Sequence, residues 1–193
     1  MKTNDFTILY NKDEKIRWIL DQHVKTNHWY DTYLPYEFHL RMVAKAAQDF
    51  IHLLPNSNDG ESSFVVSVML AAYGHDLIED TRVSYNDVKE VLGLQAADII
   101  YAVSNEKGKN RKERANDKYY EGIRNTPGAV FIKLCDRIAN VQYSKMTGSR
   151  MFEMYKKENP EFTKSLGLRG DWVDYPGHKY YKMYQYLDNL FKD

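Results

Sequence analysis

Apolar positions recur at helical spacing along nearly the whole chain, and the strict alternation of a half-buried strand is weak throughout. The period predicts a first helix over residues 13–25, with Ile16, Ile19, Leu20 and Val24 on one face. Residues 26–34 are polar and aromatic and read as a loop. Pro35 suits the first turn of a second helix running to about residue 54, with Phe38, Met42, Val43, Ala46, Ala47, Phe50 and Ile51 inward. A turn cluster at residues 55–60 separates it from a third helix over residues 64–80. Ser84 and Asp87 form a capping-box pattern that opens a short helix to Leu92; Gly93 breaks it, and residues 94–104 form another. Residues 105–114 read as a basic loop entering a helix. Thr126 and Pro127 are a helix-start signal, with Thr126 as cap and Pro127 at the first helical position. The helix that follows, residues 129–143, is apolar around most of its circumference, which marks it as central. Gly148 precedes a helix over residues 149–166, with a bend expected at Asn159-Pro160. Residues 167–177 are irregular, and an amphipathic helix over residues 178–191 closes the chain. The pattern predicts an all-α bundle forming a single domain, without repeats, linkers or low-complexity segments.

Composition narrows this picture. A chain of 193 residues that is 43% hydrophobic and 28% charged is globular and large enough for a real core. Lys plus Arg and Asp plus Glu are equal at 27 each, so no global field argues for nucleic acid or an anionic membrane, and any anion site is local. The single cysteine, Cys135, excludes an intrachain disulfide and a Cys-based zinc cluster and fits a reducing, cytoplasmic setting. The polar stretch of residues 1–10 does not read as a signal peptide, and no apolar run approaches a membrane span. Nothing in the sequence fixes the oligomeric state.

The candidate chemistry is concentrated in Gly74-His75-Asp76-Leu77-Ile78-Glu79-Asp80-Thr81, at the end of the third apolar run. On a continuous helix, His75 and Glu79, and likewise Asp76 and Asp80, are one turn apart and share a side. Carboxylates at a helix C-terminus meet the negative end of the dipole, which favours a compensating cation. The alternative is a solvated helix end. His39, on the second helix, is either a satisfied boundary residue or a ligand. Asp136, in the middle of the most apolar helix, needs a partner: Lys133, Arg137 or a metal. Asn140 lies one turn further on the same face. Together His39, His75, Asp76 and Asp136 offer two imidazoles and two carboxylates, a set suited to Mn²⁺, Fe²⁺ or Zn²⁺ rather than Ca²⁺. Glu79 and Asp80, one turn beyond, are placed to position a water and move its proton. Lys107, Lys109, Arg111, Lys112 and Arg114 form the concentrated basic patch, either a phosphate site or a solvated charge run. Cys135 reads as buried packing rather than as a nucleophile.

The order His39 … His75-Asp76 … Asp136 resembles the HD phosphohydrolase superfamily, and His75-Asp76-Leu77-Ile78-Glu79-Asp80-Thr81 resembles the form found in hydrolase domains of the RelA/SpoT family and in stand-alone small alarmone hydrolases. Pro35-Tyr36-Glu37-Phe38-His39 and Lys133-Leu134-Cys135-Asp136-Arg137-Ile138-Ala139-Asn140 match further motifs of that family, so the likeness runs over about residues 16–168. The resemblance implies a single HD domain over residues 1–193, with its core at about 16–168 and a helical extension at 169–193. It implies a Mn²⁺-dependent hydrolase removing pyrophosphate from the 3′ position of a guanosine alarmone such as ppGpp. Carried over by motif, His39, His75, Asp76 and Asp136 ligate metal, Glu79 and Asp80 activate water, and Asn140 contacts the nucleotide. Lys133, Arg137, Lys109, Arg111 and Arg114 are the candidates for phosphate binding. The family's Arg-Lys pair that holds the base is absent; the loop reads Lys25-Thr26-Asn27-His28-Trp29-Tyr30-Asp31, where Trp29, Tyr30 or His28 would stack on a base instead. Leu40 stands where the family has Pro. Two alternatives remain open: a phosphatase acting on another nucleotide or on a nicotinamide dinucleotide phosphate, and a silent nucleotide-binding module. No sheet-forming segment is available for a synthetase site, so the expected protein degrades the alarmone without making it.

Overall fold

In the computed structural model the described residues are 13–55, 62–104, 109–167 and 179–192. The chain opens with α1 (Glu14–Lys25), capped by the Asp13 carboxylate, which accepts from the amides of Lys15 and Ile16. A two-residue hairpin follows. Its strands β1 (Trp29–Tyr30) and β2 (Leu34–Pro35) pair antiparallel, Trp29 with Pro35 and Tyr30 with Leu34. Pro35 therefore sits in this ribbon and not in a helix. The second helix, α2 (Glu37–Asp49), starts two residues later and passes into a 3-10 turn at Ile51–Leu53.

The third helix is also shorter than its pattern suggests. The helix α3 (Ser63–Gly74) stops at Gly74, and a single helical turn, α4 (Leu77–Asp80), begins after two residues in turn conformation, His75 and Asp76. A Cβ on Gly74 would lie 2.9 Å from Ile100 Cδ1 and 3.1 Å from Leu77 Cδ1, so any larger residue would push these side-chain ends aside. The carboxylates of Glu79 and Asp80 thus belong to a separate helical turn and not to the end of α3.

Beyond it, α5 (Tyr85–Leu92) carries the predicted capping box, with Ser84 and Asp87 bonded reciprocally. Gly93, at φ 95°, turns the chain into α6 (Leu94–Val103). A short turn α7 (Arg111–Arg114) leads to α8 (Asp117–Asn125). Thr126 ends α8 rather than opening the next helix, and its hydroxyl donates to Gly122 O. The reversal is made by Gly128 at φ 90°, after which α9 (Ala129–Thr147) begins. It ends at left-handed Gly148 in a paired cap: Ser149 N donates to Ser144 O at 3.0 Å and Gly148 N to Lys145 O at 3.4 Å. Then come α10 (Met151–Ser165), which contains Pro160, and α11 (Tyr181–Leu190).

The helix α9 is central, as its apolar circumference implies. It packs against α2, α3, α6, α8, α10 and α11, burying Phe131, Ile132, Leu134, Cys135 and Ile138. The small residues Ala44, Ala46 and Ala47 of α2 and Ala139 of α9 are buried, and small buried residues suit close helix approach. No helix among the described residues is long and apolar enough to cross a membrane.

Gly128 is where this packing is most constrained. A Cβ there would stand 3.1 Å from both Ile99 Cδ1 and Val68 Cγ2, in a backbone conformation that L side chains rarely adopt. Gly128→Ala is expected to cost about 2 kcal/mol, because strain and overpacking add. Urea unfolding checks this; an unchanged midpoint would show that the turn relaxes freely.

Candidate metal centre and catalytic cavity

His39 comes from α2, His75 and Asp76 from the break between α3 and α4, and Asp136 from the middle of α9. These elements pack together, so residues far apart in sequence meet at one buried corner. His39 Nε2 lies 3.2 Å from His75 Nε2 and 3.5 Å from Asp136 Oδ1. Asp76 Oδ2 is 2.9 Å from His75 Nε2 and 3.6 Å from His39 Nε2. The donor atoms of His39, His75 and Asp136 all fall within 4.8 Å of one another, a group that can hold a metal ion.

The details of the corner fit a cation. His75 Nδ1 is 3.0 Å from Ala72 O, and a proton donated there turns Nε2 towards the site. His39 is buried, yet its Nδ1 has no hydrogen-bond partner, so it is not a satisfied core histidine. Two facing imidazole nitrogens flanked by two carboxylates need protons or a cation among them. A nitrogen and oxygen set of this kind accepts a divalent first-row ion.

The protein's own charges are matched within this corner. Burial disfavours a charged His75, but Asp76 and Asp136 outweigh it and push its pKa up to about 9. Burial likewise opposes ionisation of Asp76, while His75 and His39 hold its carboxyl below the usual range. For Asp136, Lys133 is the largest of the effects that overcome burial and keep it ionised. Its Oδ2 is 3.2 Å from Lys133 Nζ, and its Oδ1 accepts from Asn140 Nδ2 at 2.6 Å. Arg137 pairs elsewhere: it reaches Glu158 Oε2 at 3.3 Å and lies over the rings of Tyr155 and Phe162.

A layer of aromatic rings from the hairpin covers the corner. Tyr30 stacks on His39 with ring centroids 4.8 Å apart, and its hydroxyl donates to Asn140 Oδ1 at 3.1 Å. The Tyr36 hydroxyl donates to Asp76 Oδ2 and lies 3.2 Å from Asp80 Oδ2. His28 stacks on Tyr36 at 3.6 Å, with His23 on the ring's surroundings at 4.9 Å. The sequence offers Tyr30 as a ring to stack on a base and Tyr36 only as part of the motif at residues 35–39; here Tyr30 is stacked on His39. The usable signals were alternation, which sends Tyr30 inward opposite exposed Trp29, and the i, i+3 spacing of Tyr36 to His39.

The corner opens into a cavity of about 760 Å³. His39, Asp76, Glu79, Asp80 and Asp136 line it, as do Lys133, Arg137, Asn140 and Arg114. Tyr119, Tyr120, Tyr155 and Phe162 form its aromatic side. Trp29 does not line it; the indole is about half exposed and bonds Asn27. Lys109 is exposed and outside the lining. Lys107 lies outside the described residues, as do the side chains of Arg111 and Lys112. Burial and the charges of Asp76 and Glu79 raise the Asp80 carboxyl to about 7, a value suited to proton transfer near neutrality. Burial also raises the Cys135 thiol well above its usual range, so it remains protonated packing.

No family model matches the chain. The curated protein it resembles in fruit fly, Drosophila melanogaster, is a guanosine-3′,5′-bis(diphosphate) 3′-pyrophosphohydrolase, MESH1, 29% identical over 75 residues that make up 39% of this chain and 42% of the relative. The human protein of that name is 29% identical over 77 residues, 40% of this chain and 43% of the relative. The matched segment is therefore less than half the length of either. A solved structure of a metazoan ortholog of SpoT, described as hydrolysing ppGpp and acting in starvation responses, superposes with a TM-score of 0.63 at 20% identity, over 93% of this chain and 92% of that one. At that identity the likeness is one of fold, and the shared architecture is all-α.

Two outcomes test the site's electrostatics. A metal entering the corner must displace the proton on His75, so Mn²⁺ affinity should tighten about tenfold per pH unit between pH 6 and 8. Calorimetric titration at three pH values measures it, and a pH-independent Kd would refute the assignment. His23, buried and with Nε2 unpartnered, has its pKa lowered by burial from 6.5 to about 4. Its folded pKa lies below its unfolded one, so the unfolded chain takes up the proton first as pH falls. The protein should therefore lose about 3 kcal/mol between pH 7 and pH 4 through this residue. His23→Phe keeps a ring beside Tyr36 and should flatten that part of the urea-midpoint profile; an identical acid slope in the variant counts against it.

Proposed function

We propose that the chain belongs with the ppGpp hydrolases it resembles and is a metal-dependent pyrophosphohydrolase, acting on the 3′-pyrophosphate of a guanosine alarmone in the cytoplasm. The observation that carries this reading is the convergence of His39, His75, Asp76 and Asp136 on one corner of a cavity in which Glu79 and Asp80 stand beside them. Those four residues would hold the metal, proposed to be Mn²⁺, with Fe²⁺ or Zn²⁺ also compatible with the donors. When bound, such an ion polarises phosphoryl oxygen and acidifies water.

The chain's own residues have separable tasks. Glu79, at the cavity's exposed edge, orients the attacking water. Asp80, with its carboxyl at about 7, accepts the proton and can return it to the leaving group. Lys133 stays charged: burial opposes this, but Tyr119 and Asp136 outweigh it and raise its pKa. It is the cation nearest the ligands that can meet a phosphate. Arg114 supplies a second one at the cavity wall. Arg137 shares its charge with Glu158 and holds the aromatic side in place. Asn140 spends its amide on Asp136 and Tyr30, so it orients the ligand carboxylate where the ribose would approach. Tyr120 and Tyr155, rather than Trp29, offer rings to a base.

A second reading keeps the centre and changes the substrate. Asp117, Glu158 and Glu161 also line the cavity, and they favour a ligand less anionic than ppGpp, such as another nucleotide or a nicotinamide dinucleotide phosphate. Incubation of the Mn²⁺-loaded protein with a nucleotide panel separates the two. Pyrophosphate released from ppGpp supports the first, and inorganic phosphate from another nucleotide supports the second. Bound nucleotide without product would identify a silent binding module.

Metal content and turnover should respond differently along this site. Asp136→Ala is expected to lose the metal and all turnover. Glu79→Gln is expected to retain the metal and lose about 10²-fold or more in kcat. A Glu79→Gln protein with the wild-type rate would remove Glu79 from the chemistry.

A further inference from the structure

We propose that Tyr36 is a positioning residue, whose hydroxyl fastens the metal ligand Asp76 to the proton-handling carboxylate Asp80. The inference rests on the function proposed above and assigns a task to a residue that the donor set and the water-handling pair leave out.

The geometry is particular. Tyr36 stands at the start of α2, directly after the hairpin, and reaches across to the residues around the α3–α4 break. Its hydroxyl donates to Asp76 Oδ2 and is 3.2 Å from Asp80 Oδ2. It lines the same cavity as both carboxylates. Two carboxylates on successive turns of a short helical segment repel one another, and Asp80 N is also tied to Asp76 O at 2.9 Å, which holds their backbones close. The Tyr36 hydroxyl faces both and donates its proton to one oxygen at a time. The ring is fixed independently of the hydroxyl. His28 stacks on it at 3.6 Å, and His39 and Tyr30 meet it edge-on at 5.4 Å and 6.2 Å. The hydroxyl is thus held by packing and not by the bonds it makes. A group so placed sets the distance between the ligand corner and the residue that takes the proton. Such outer partners of a ligand carboxylate set both metal affinity and reacting geometry.

Tyr36→Phe removes the hydroxyl and keeps the stacked ring. The protein should retain the wild-type far-ultraviolet circular dichroism. Calorimetric titration with Mn²⁺ alone should show a Kd about tenfold weaker, a readout that involves no turnover. At saturating Mn²⁺, kcat for ppGpp should fall about tenfold or more, with KM within about twofold, because positioning is lost and binding is not. In the double variant with Asp80→Asn, kcat should be no lower than in Asp80→Asn alone, since Tyr36 acts through Asp80. Wild-type Mn²⁺ affinity and kcat in Tyr36→Phe would overturn the proposal, and so would multiplicative losses in the double variant. Wild-type protein that leaves ppGpp intact would instead overturn the function on which the proposal rests, and the Mn²⁺ titration would then still decide whether Tyr36 serves Asp76.

Discussion

Two imidazoles and two carboxylates cannot share a buried corner without positive charge among them, and much of this molecule is arranged around that constraint. His39 and His75 are almost wholly buried, with their Nε2 atoms 3.2 Å apart. With His75 protonated, its charge and that of Lys133 balance Asp76 and Asp136. A divalent ion held by these residues in place of that proton would leave the corner with surplus positive charge facing the cavity, which otherwise carries several acids. The corner, neutral as it stands, would then attract phosphate. Charge in such a partly dry site acts over its neighbours more strongly than in water.

The fold delivers these groups because its central helix tolerates a charged patch on one side. The apolar residues of α9 anchor it against six other helices, and Asp136, Lys133 and Asn140 share the remaining surface. Removing one member would strand the others, since a half-satisfied buried network costs more than either a complete one or none. The hairpin completes the shell from the opposite side. It is only two residues per strand and could not stand alone. It holds because Tyr30 and Tyr36 pack on His39 while their hydroxyls bond Asn140 and Asp76. Stability and site geometry are therefore carried by the same contacts.

The helical framework was legible in the sequence wherever the hydrophobic period ran without interruption. The cap at Ser84 and the break at Gly93 fall where their residue types imply. Three boundaries did not, and each has a local cause. Pro35 is equally at home in a short ribbon, and pairing with Trp29 takes it out of α2. Gly128 makes the turn that Thr126-Pro127 suggested. Gly74 closes α3 where the chain packs tightly on Ile100, and periodicity carries no trace of that. The motif residues could be placed together because His39 and Asp136 lie on helices whose apolar faces turn them inward, and His75 and Asp76 directly follow the apolar run of α3. For the tyrosine layer, alternation at Trp29-Tyr30 and the spacing of Tyr36 to His39 point inward, but the course of the loop that lays both over the corner follows no period.

The break at Gly74 also changes why the acidic stretch exists. On an unbroken helix, His75, Asp76, Glu79 and Asp80 would form one continuous ledge, and all four would compete for one cation. With the break, His75 and Asp76 lie in the turn and direct Nε2 and Oδ2 to the same point, 2.9 Å apart. Glu79 and Asp80 move onto a separate turn that faces the cavity. Burial and the charges of Asp76 and Glu79 raise Asp80 to about 7. A carboxylate that ligates must stay ionised, whereas one that carries protons must not be held ionised too firmly. Asp76, paired with His75, and Asp80, one hydrogen-bonded turn further on, differ in this way within a single short segment.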